Sequence, residues 1–421
     1  MSYYRETKCP RCGHPLDGPH YDGCPACRHN KIAVNYETYY DLNEAALPDF
    51  PENGASDRNN GIFSYENFLP LGTSDPKISI GEGNTPFYKL ERLGRLWGMD
   101  HLYMKDESKN PTMSHKDRLC SIIVSQAVRD NAPGVVISST GNQGASAAAY
   151  CAAADIPCVI FTTPNVSSVM KTWMQAYGAS VFVTPTMADR SIIMGKLVRE
   201  MGFTPASGML TPPIGSNPFA VDGYKTISFE IYRQMDKNVP DWMVVPISYG
   251  DTLYGIFKGM CDLKEMGYIR SLPRMAAAEV FGAAQKSLAA GSDLPVSTPS
   301  TPSIQTSIAT GYITYQTLKA LRLSNGTART STDPEALSMQ LLLARTEGIF
   351  AEASSVSSLV ATKKLLDERK ISPDDRVVVL ITSTGLKDPK TTESLLPKIP
   401  VIEPSIPSFL TAIKDFYHIV L

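Results

Sequence analysis

Beyond residue 134 the chain alternates short apolar runs with longer segments whose apolar residues recur every three or four positions. Val135-Val-Ile-Ser-Ser139, Pro157-Cys-Val-Ile-Phe161 and Ser180-Val-Phe-Val-Thr184 are brief and β-branched, which predicts strands buried on both faces. The intervening segments 145–154, 169–177 and 192–201 read as helices. A second set of strands is predicted at 242–247, 274–280 and 376–381. Strands alternating with helices make parallel α/β sheets, and two sets predict two α/β lobes. A ligand site is then expected between the lobes, at the carboxyl ends of the strands. Residues 34–78, rich in Asn, Asp, Glu, Pro and Tyr, show no sustained period. They read as a connector laid on the main body, with one helical piece near 65–69. The Pro- and Ser-rich stretch 295–306 reads as a loop, and there is no internal repeat.

Bulk properties narrow the function classes. A chain of 421 residues suits two or three domains, and 43% hydrophobic with 19% charged residues is ordinary for a globular protein. A net charge of −2 gives no reason to expect nucleic acid or an anionic membrane as partner. The first residues lack the apolar core of a signal peptide, and no apolar run approaches the roughly 20 residues that span a bilayer. The expectation is a cytoplasmic protein acting on a small molecule.

Eight cysteines fall into two groups. Cys120, Cys151, Cys158 and Cys261 are scattered in apolar surroundings and read as buried thiols. Cys9, Cys12, Cys24 and Cys27 form two Cys-x2-Cys pairs separated by eleven residues, each on a turn-like sequence. Four such thiolates make a closed tetrahedral site for a structural zinc; a disulfide pair and an emptied relic of a zinc ribbon are the alternatives. His14 and His20, inside the loop, read as surface residues.

The chemistry centres on Lys105-Asp-Glu-Ser-Lys-Asn-Pro-Thr-Met-Ser-His-Lys-Asp-Arg118. The turn-forming Asn110-Pro111-Thr112 leads to an apolar helical run, which puts Lys116 in the first turn of a helix. There the positive end of the helix dipole and desolvation favour the neutral, nucleophilic amine. Asn-Pro-Thr-x-Ser-x-Lys-Asp-Arg resembles the pyridoxal-phosphate (PLP) lysine segment of threonine synthase and its relatives. The resemblance implies that Lys116 forms the Schiff base and is the catalytic base. Ile80-Gly-Glu-Gly-Asn-Thr-Pro86 precedes it, as in that family.

Further segments follow in family order. In Ser138-Ser-Thr-Gly-Asn-Gln-Gly-Ala-Ser146 the resemblance puts Asn142 on the cofactor's 3′-oxygen and Ser139, Thr140 and Gln143 on the substrate carboxylate. Gln143 departs from the family's small hydroxyl residue. Asn217-Pro-Phe-Ala-Val-Asp-Gly-Tyr-Lys-Thr226 is similar to Asn-Pro-x-Arg-x-Glu-Gly-x-Lys-Thr, but Ala220 stands where the family arginine would grip a substrate phosphate. Lys225 or Lys171 could substitute, or the substrate carries no phosphate. Ser114 and Asn217 are further substrate-site candidates. Val244-Val-Pro-Ile-Ser-Tyr-Gly-Asp-Thr252 occupies the place of the phosphate cradle, with Ser248, Gly250 and Thr252 as cofactor contacts. Asp251 is expected to cap the following helix and point away. Glu347-Gly-Ile-Phe-Ala-Glu-Ala-Ser-Ser355 and Leu380-Ile-Thr-Ser-Thr-Gly-Leu-Lys-Asp388 complete the match, with Thr382 facing the pyridine nitrogen. His115 stands where relatives carry Phe; it either relays protons to a leaving group or fills the space of that ring.

The resemblance covers about residues 80–388 and implies fold type II of the PLP enzymes (tryptophan synthase β-like), usually a homodimer. The expected division is a zinc-ribbon-like segment at 1–33, a large PLP-binding domain at 34–117 and 211–421, and a small α/β domain at 118–210. The implied function is elimination or replacement on a small amino acid with a β- or γ-leaving group, within amino-acid biosynthesis. The threonine synthase reaction converts O-phosphohomoserine and water to threonine and phosphate. Ala220 and Gln143 favour a diverged relative performing β-replacement or β-elimination, cysteate synthase-like or dehydratase-like. A non-catalytic PLP-scaffold binding protein is the third reading, and retention of Lys116, Asn142 and Thr382 speaks against it.

Overall fold

The six predicted strands all form, each within one residue of its expected ends. The computed structural model describes residues 2–18, 21–48, 60–164 and 166–419. The strands in chain order are β1 (Tyr4–Lys8), β2 (Glu37–Tyr40), β3 (Phe87–Lys89), β4 (Leu102–Asp106), β5 (Val135–Ser138), β6 (Cys158–Thr162), β7 (Ser180–Val183), β8 (Thr204–Pro205), β9 (Trp242–Pro246), β10 (Arg274–Glu279), β11 (Thr327–Thr330) and β12 (Val377–Ile381). The helices that position the site are α1 (Lys116–Arg129), α2 (Asn142–Ala153), α3 (Ser168–Ala176), α4 (Met187–Met201), α5 (Lys225–Gln234) and α6 (Asp251–Glu265).

One sheet runs β11-β10-β9-β12-β4-β3, parallel except for the antiparallel edge strand β3. The other runs β7-β6-β5-β8 and is wholly parallel. β9 and β12 are fully buried, as their continuous apolar sequences require. β7 is not. It is an edge strand with Phe182 52% and Val183 55% exposed, so the expectation of burial on both faces fails there. β1 and β2 pair antiparallel at the amino end of the chain.

Met1–Lys387 forms one compact unit and Asp388–Leu421 a second, the latter holding helices Pro389–Glu393 and Ile406–Tyr417. The connector segment contains a 3₁₀ stretch, Gly61–Phe68, overlapping the helical piece expected near 65–69. Residues 49–59 of that connector lie outside the described residues. The 295–306 stretch has no regular structure, yet it is anchored: Ser303 and Ile304 bond to Asp333, and Gln305 to Ser331. Among the described residues no helix is long and apolar enough to cross a membrane.

Candidate active site

Lys116 reaches its place through a loop that leaves the carboxyl end of β4. Asn110 ties the loop down: its amide donates to the Glu107 backbone and carboxylate at 2.9 Å each, and its carbonyl accepts from Gly83 N at 2.9 Å. Ser114 bridges to Ser383 and accepts the Lys116 amide at 3.3 Å, so its hydroxyl serves the start of α1. Asp117 accepts from Thr112 and Ser146. Arg118 is fully buried and donates to Glu107, Glu230, Thr226 and Thr85. Lys105 adds bonds of 2.6 Å to Glu230 and 2.7 Å to the Thr85 carbonyl. The Gly-Glu-Gly-Asn-Thr, Lys-Asp-Glu and Lys-Asp-Arg motifs therefore share one buried polar network whose product is the position of Lys116.

The Lys116 amine lies half-buried, 3.3 Å from the Tyr224 hydroxyl. Burial pushes its pKa down, against the opposing pull of Asp251, Cys120 and Glu352. His115 is buried with its ring 5.5 Å from that of Tyr224, and Nδ1 lies 3.2 Å from the Thr382 carbonyl, a contact that Nδ1–H makes as donor. Burial and the Lys116 charge hold its pKa well below the ordinary histidine value. The ring is thus tied to a backbone carbonyl and packed on an aromatic.

The Ser138–Gly141 turn leaves the carboxyl end of β5. Ser139 Oγ accepts the amides of Gly141 and Gly144, and Thr140 is exposed. Gln143 does not face open space: its amide donates to the Ala206 carbonyl. Asn142 is held at both ends. Its amide gives 2.9 Å to Glu352 and 3.3 Å to Ser307, and its carbonyl accepts from Lys387 at 2.6 Å and Ser383 at 3.2 Å. Thr382, at the end of β12, shares a 2.8 Å bond with Ser355. Burial lowers the Lys387 pKa to about 8, with Glu352 and Asp117 opposing. Tyr224, Glu352 and Lys387 were not assigned from sequence, although all three lie inside the quoted motifs.

The loop after β9 carries Ser248, Gly250 and Thr252. Gly250 has φ +99°, and a Cβ there would sit 2.1 Å from Thr317 Oγ1, so only glycine fits. Thr252 is buried in the first turn of α6. Asp251 departs from expectation. It makes no capping bond to its own helix; its carboxylate accepts the Ser216 amide at 3.0 Å, and its charge acts on Lys116. Asn217 is taken up locally, accepting from Phe219 and Ala220 amides and donating to Gln126. Lys225 is excluded as a stand-in for the missing arginine, since it is fully buried against Asp262 at 2.6 Å and over the Tyr40 ring. Lys171 is exposed on α3.

Comparison with known proteins settles the family. The pyridoxal-phosphate dependent enzyme family matches residues 78–383. The chain belongs to that family. It is 35% identical over 336 residues to threonine synthase of Methanocaldococcus jannaschii, covering 78% of this chain and 81% of that protein. It is 34% identical over 357 residues to threonine synthase of Methanosarcina acetivorans, covering 84% and 86%. Among solved structures, a fungal L-serine ammonia-lyase from Rhizomucor miehei superposes with a TM-score of 0.63 at 22% identity, covering 74% of this chain and 97% of that one. Maize serine racemase gives 0.62 at 20% identity, covering 74% and 92%. The fold is fold type II, and this pyridoxal-phosphate dependent enzyme carries Lys116 at the start of the helix that follows β4 of the larger sheet.

The residues present fit the cofactor. An amine with a lowered pKa stands beside a glycine-only helix start, whose free amides suit a phosphate. Asp251 is compatible because the Ser216 amide and the Lys116 charge balance its carboxylate.

The four amino-terminal cysteines meet. Their sulfurs all lie within 4.8 Å of one another, with Cys9 to Cys27 at 3.7 Å and Cys12 to Cys24 at 3.5 Å. A tetrahedral zinc with bonds of about 2.3 Å sets sulfurs about 3.8 Å apart. All four stand as free thiols in this structure. His14 is half-exposed and outside the cluster, and His20 lies outside the described residues.

Proposed function

We propose that this enzyme catalyses threonine synthase-like elimination and replacement, with O-phosphohomoserine and water giving threonine and phosphate. The observation that carries this reading is the Lys116 amine, its pKa lowered by burial, 3.3 Å from the Tyr224 hydroxyl and under the opposing charge of Asp251. Pyridoxal phosphate, when bound, supplies the electron sink that stabilises charge at the substrate Cα. Lys116 would carry the cofactor at rest and then take the Cα proton on Nζ, with the Asp251 charge easing formation of the ammonium. Asn142 would offer the cofactor oxygen the hydrogen now given weakly to Ser307. Thr382 would bond the ring nitrogen while keeping its Ser355 partner, and Ser248, Gly250 and Thr252 would hold the phosphate. Ser139 and Thr140 are proposed for the substrate carboxylate, with Ser114 and Asn217 supporting the site through the backbone bonds they make. Domains at 34–117 with 211–421 and at 118–210, and a homodimeric assembly, belong to the same reading.

The test is incubation of the pure protein with O-phosphohomoserine, following product by mass spectrometry and released phosphate. Threonine with stoichiometric phosphate is expected. Unchanged substrate beside an intact cofactor absorbance would move the reading to β-replacement or β-elimination on an uncharged side chain, which Ala220 favours.

The cysteine cluster is proposed to hold one structural zinc. Elemental analysis should find about one zinc per chain, lost in Cys9→Ser with Cys24→Ser. Removal of the metal should expose the segment around β1 and β2 to protease, since so small an apolar cluster depends on it. A metal-free preparation with equal protease resistance would refute this.

A further inference from the structure

Arg190 is a buried cation to which the described residues offer no counter-charge. Only 5% of its surface is exposed, its Nε has no hydrogen-bond partner, and among the described residues no carboxylate lies within ion-pair distance. The adjacent acid is committed elsewhere: Asp189 accepts the Thr186 amide at 2.9 Å and hydroxyl at 2.7 Å, forming the capping box that opens α4. Burying an unpaired guanidinium is costly, so its retention calls for an anion that arrives from outside.

The place of Arg190 says which anion. α4 begins just beyond the carboxyl end of β7 and runs back across the small sheet. Met194, one turn further along the same helix face, lies 3.7 Å from Ser207 Oγ, which accepts the Ser138 amide at 3.1 Å. Arg190 therefore stands one turn nearer the amino end of α4, toward the carboxyl edge of the small sheet. From the large sheet, Tyr249 in the Ser248–Gly250 loop comes close enough to feel its charge. Burial raises the Tyr249 pKa and Arg190 opposes the rise. Burial likewise lowers the Arg190 pKa, a shift that a bound anion would reverse.

We propose that Arg190 binds the distal oxyanion of the substrate, a phosphate ester in the first instance, replacing the arginine that Ala220 has removed from the family position. The planar fork suits two phosphate oxygens, whereas Lys225 is consumed by Asp262 and Lys171 stands in solvent. This rests on the reading that Lys116 marks the amino-acid site. Arg190 is then a specificity residue that sets affinity and leaves the proton transfers to Lys116.

The experiment titrates inorganic phosphate into the holoenzyme by calorimetry and measures KM and kcat for O-phosphohomoserine, in wild type and Arg190→Gln. Phosphate affinity should fall about 10- to 100-fold and KM rise comparably, with kcat within a few-fold and the visible cofactor absorbance retained. Wild type that binds no phosphate, or Arg190→Gln with unchanged affinity and KM, overturns the proposal. If Arg190→Gln does not fold, Arg190→Lys carries the test, and an unchanged phosphate affinity without the fork overturns it. Phosphate binding lost in the variant by an enzyme that leaves O-phosphohomoserine untouched supports the anion site and defeats the threonine synthase reading instead.

Discussion

Lys116→Ala is expected to remain folded and to lose turnover by about 10²- to 10⁴-fold, the range spanned by a positioned acid–base group. Stability should hold because the side chain is half-buried and its 3.3 Å contact with Tyr224 is long, while the bonds that set the loop belong to Asn110, Asp117 and Arg118. The thermal midpoint should therefore stay close to wild type. Lys116→Arg keeps a cation but not an amine that burial can neutralise, and it should be equally inactive. The measurement pairs product formation with a denaturation curve for each variant. Retention of a tenth of wild-type turnover in Lys116→Ala would remove Lys116 from the chemistry. An inactive variant with a collapsed midpoint would show that the residue is structural.

Much of the fold was legible because its central strands are apolar on both faces. β9 and β12 could hardly be read otherwise. The unread strands fail that test for identifiable reasons. β4 ends in Lys105 and Asp106, polar residues that look like a loop until Lys105 is seen satisfied by Glu230 and Gln234. β11 is the polar Thr-Ala-Arg-Thr at a sheet edge, β3 has three residues and β8 two. Helix starts were read late because first turns are polar: α2 begins at Asn142 and α4 at Met187, ahead of the apolar period. Arg190 falls in the first turn of α4, ahead of the segment the apolar period marks. At the proposed site, the resemblance pointed to Lys116, Asn142 and Thr382, but carried nothing of the charge balance around them. Asp251 is tied to Ser216, thirty-five positions away, and Lys225 to Asp262. Such partners are fixed by tertiary packing, and no local pattern announces them.

Arg118→Met should be the most destabilising single change outside the cysteine cluster, costing about 3–5 kcal/mol at neutral pH. It deletes the donor to both Glu107 and Glu230 inside a fully buried network, and Lys105 can compensate only Glu230. Burial alone would raise both carboxyls, but the Arg118 charge outweighs it and holds them below the usual carboxylate range, with Lys105 assisting. The folded wild type thus binds fewer protons here than the unfolded chain. Its stabilisation is complete above the unfolded value near 4.5 and is lost as pH falls through the lower folded values. Without Arg118 the burial penalty dominates, the two carboxyls titrate higher, and protonation relieves them. The gap between wild type and variant should therefore narrow on going from pH 7.5 to pH 5, as read from urea midpoints at each pH. A gap that is constant or widens in acid would mean that lost packing, and not the orphaned carboxylates, causes the damage. Because Arg118 sits two residues beyond Lys116, the same substitution should also lower turnover in the molecules that stay folded, joining the stability of the network to the placement of the amine.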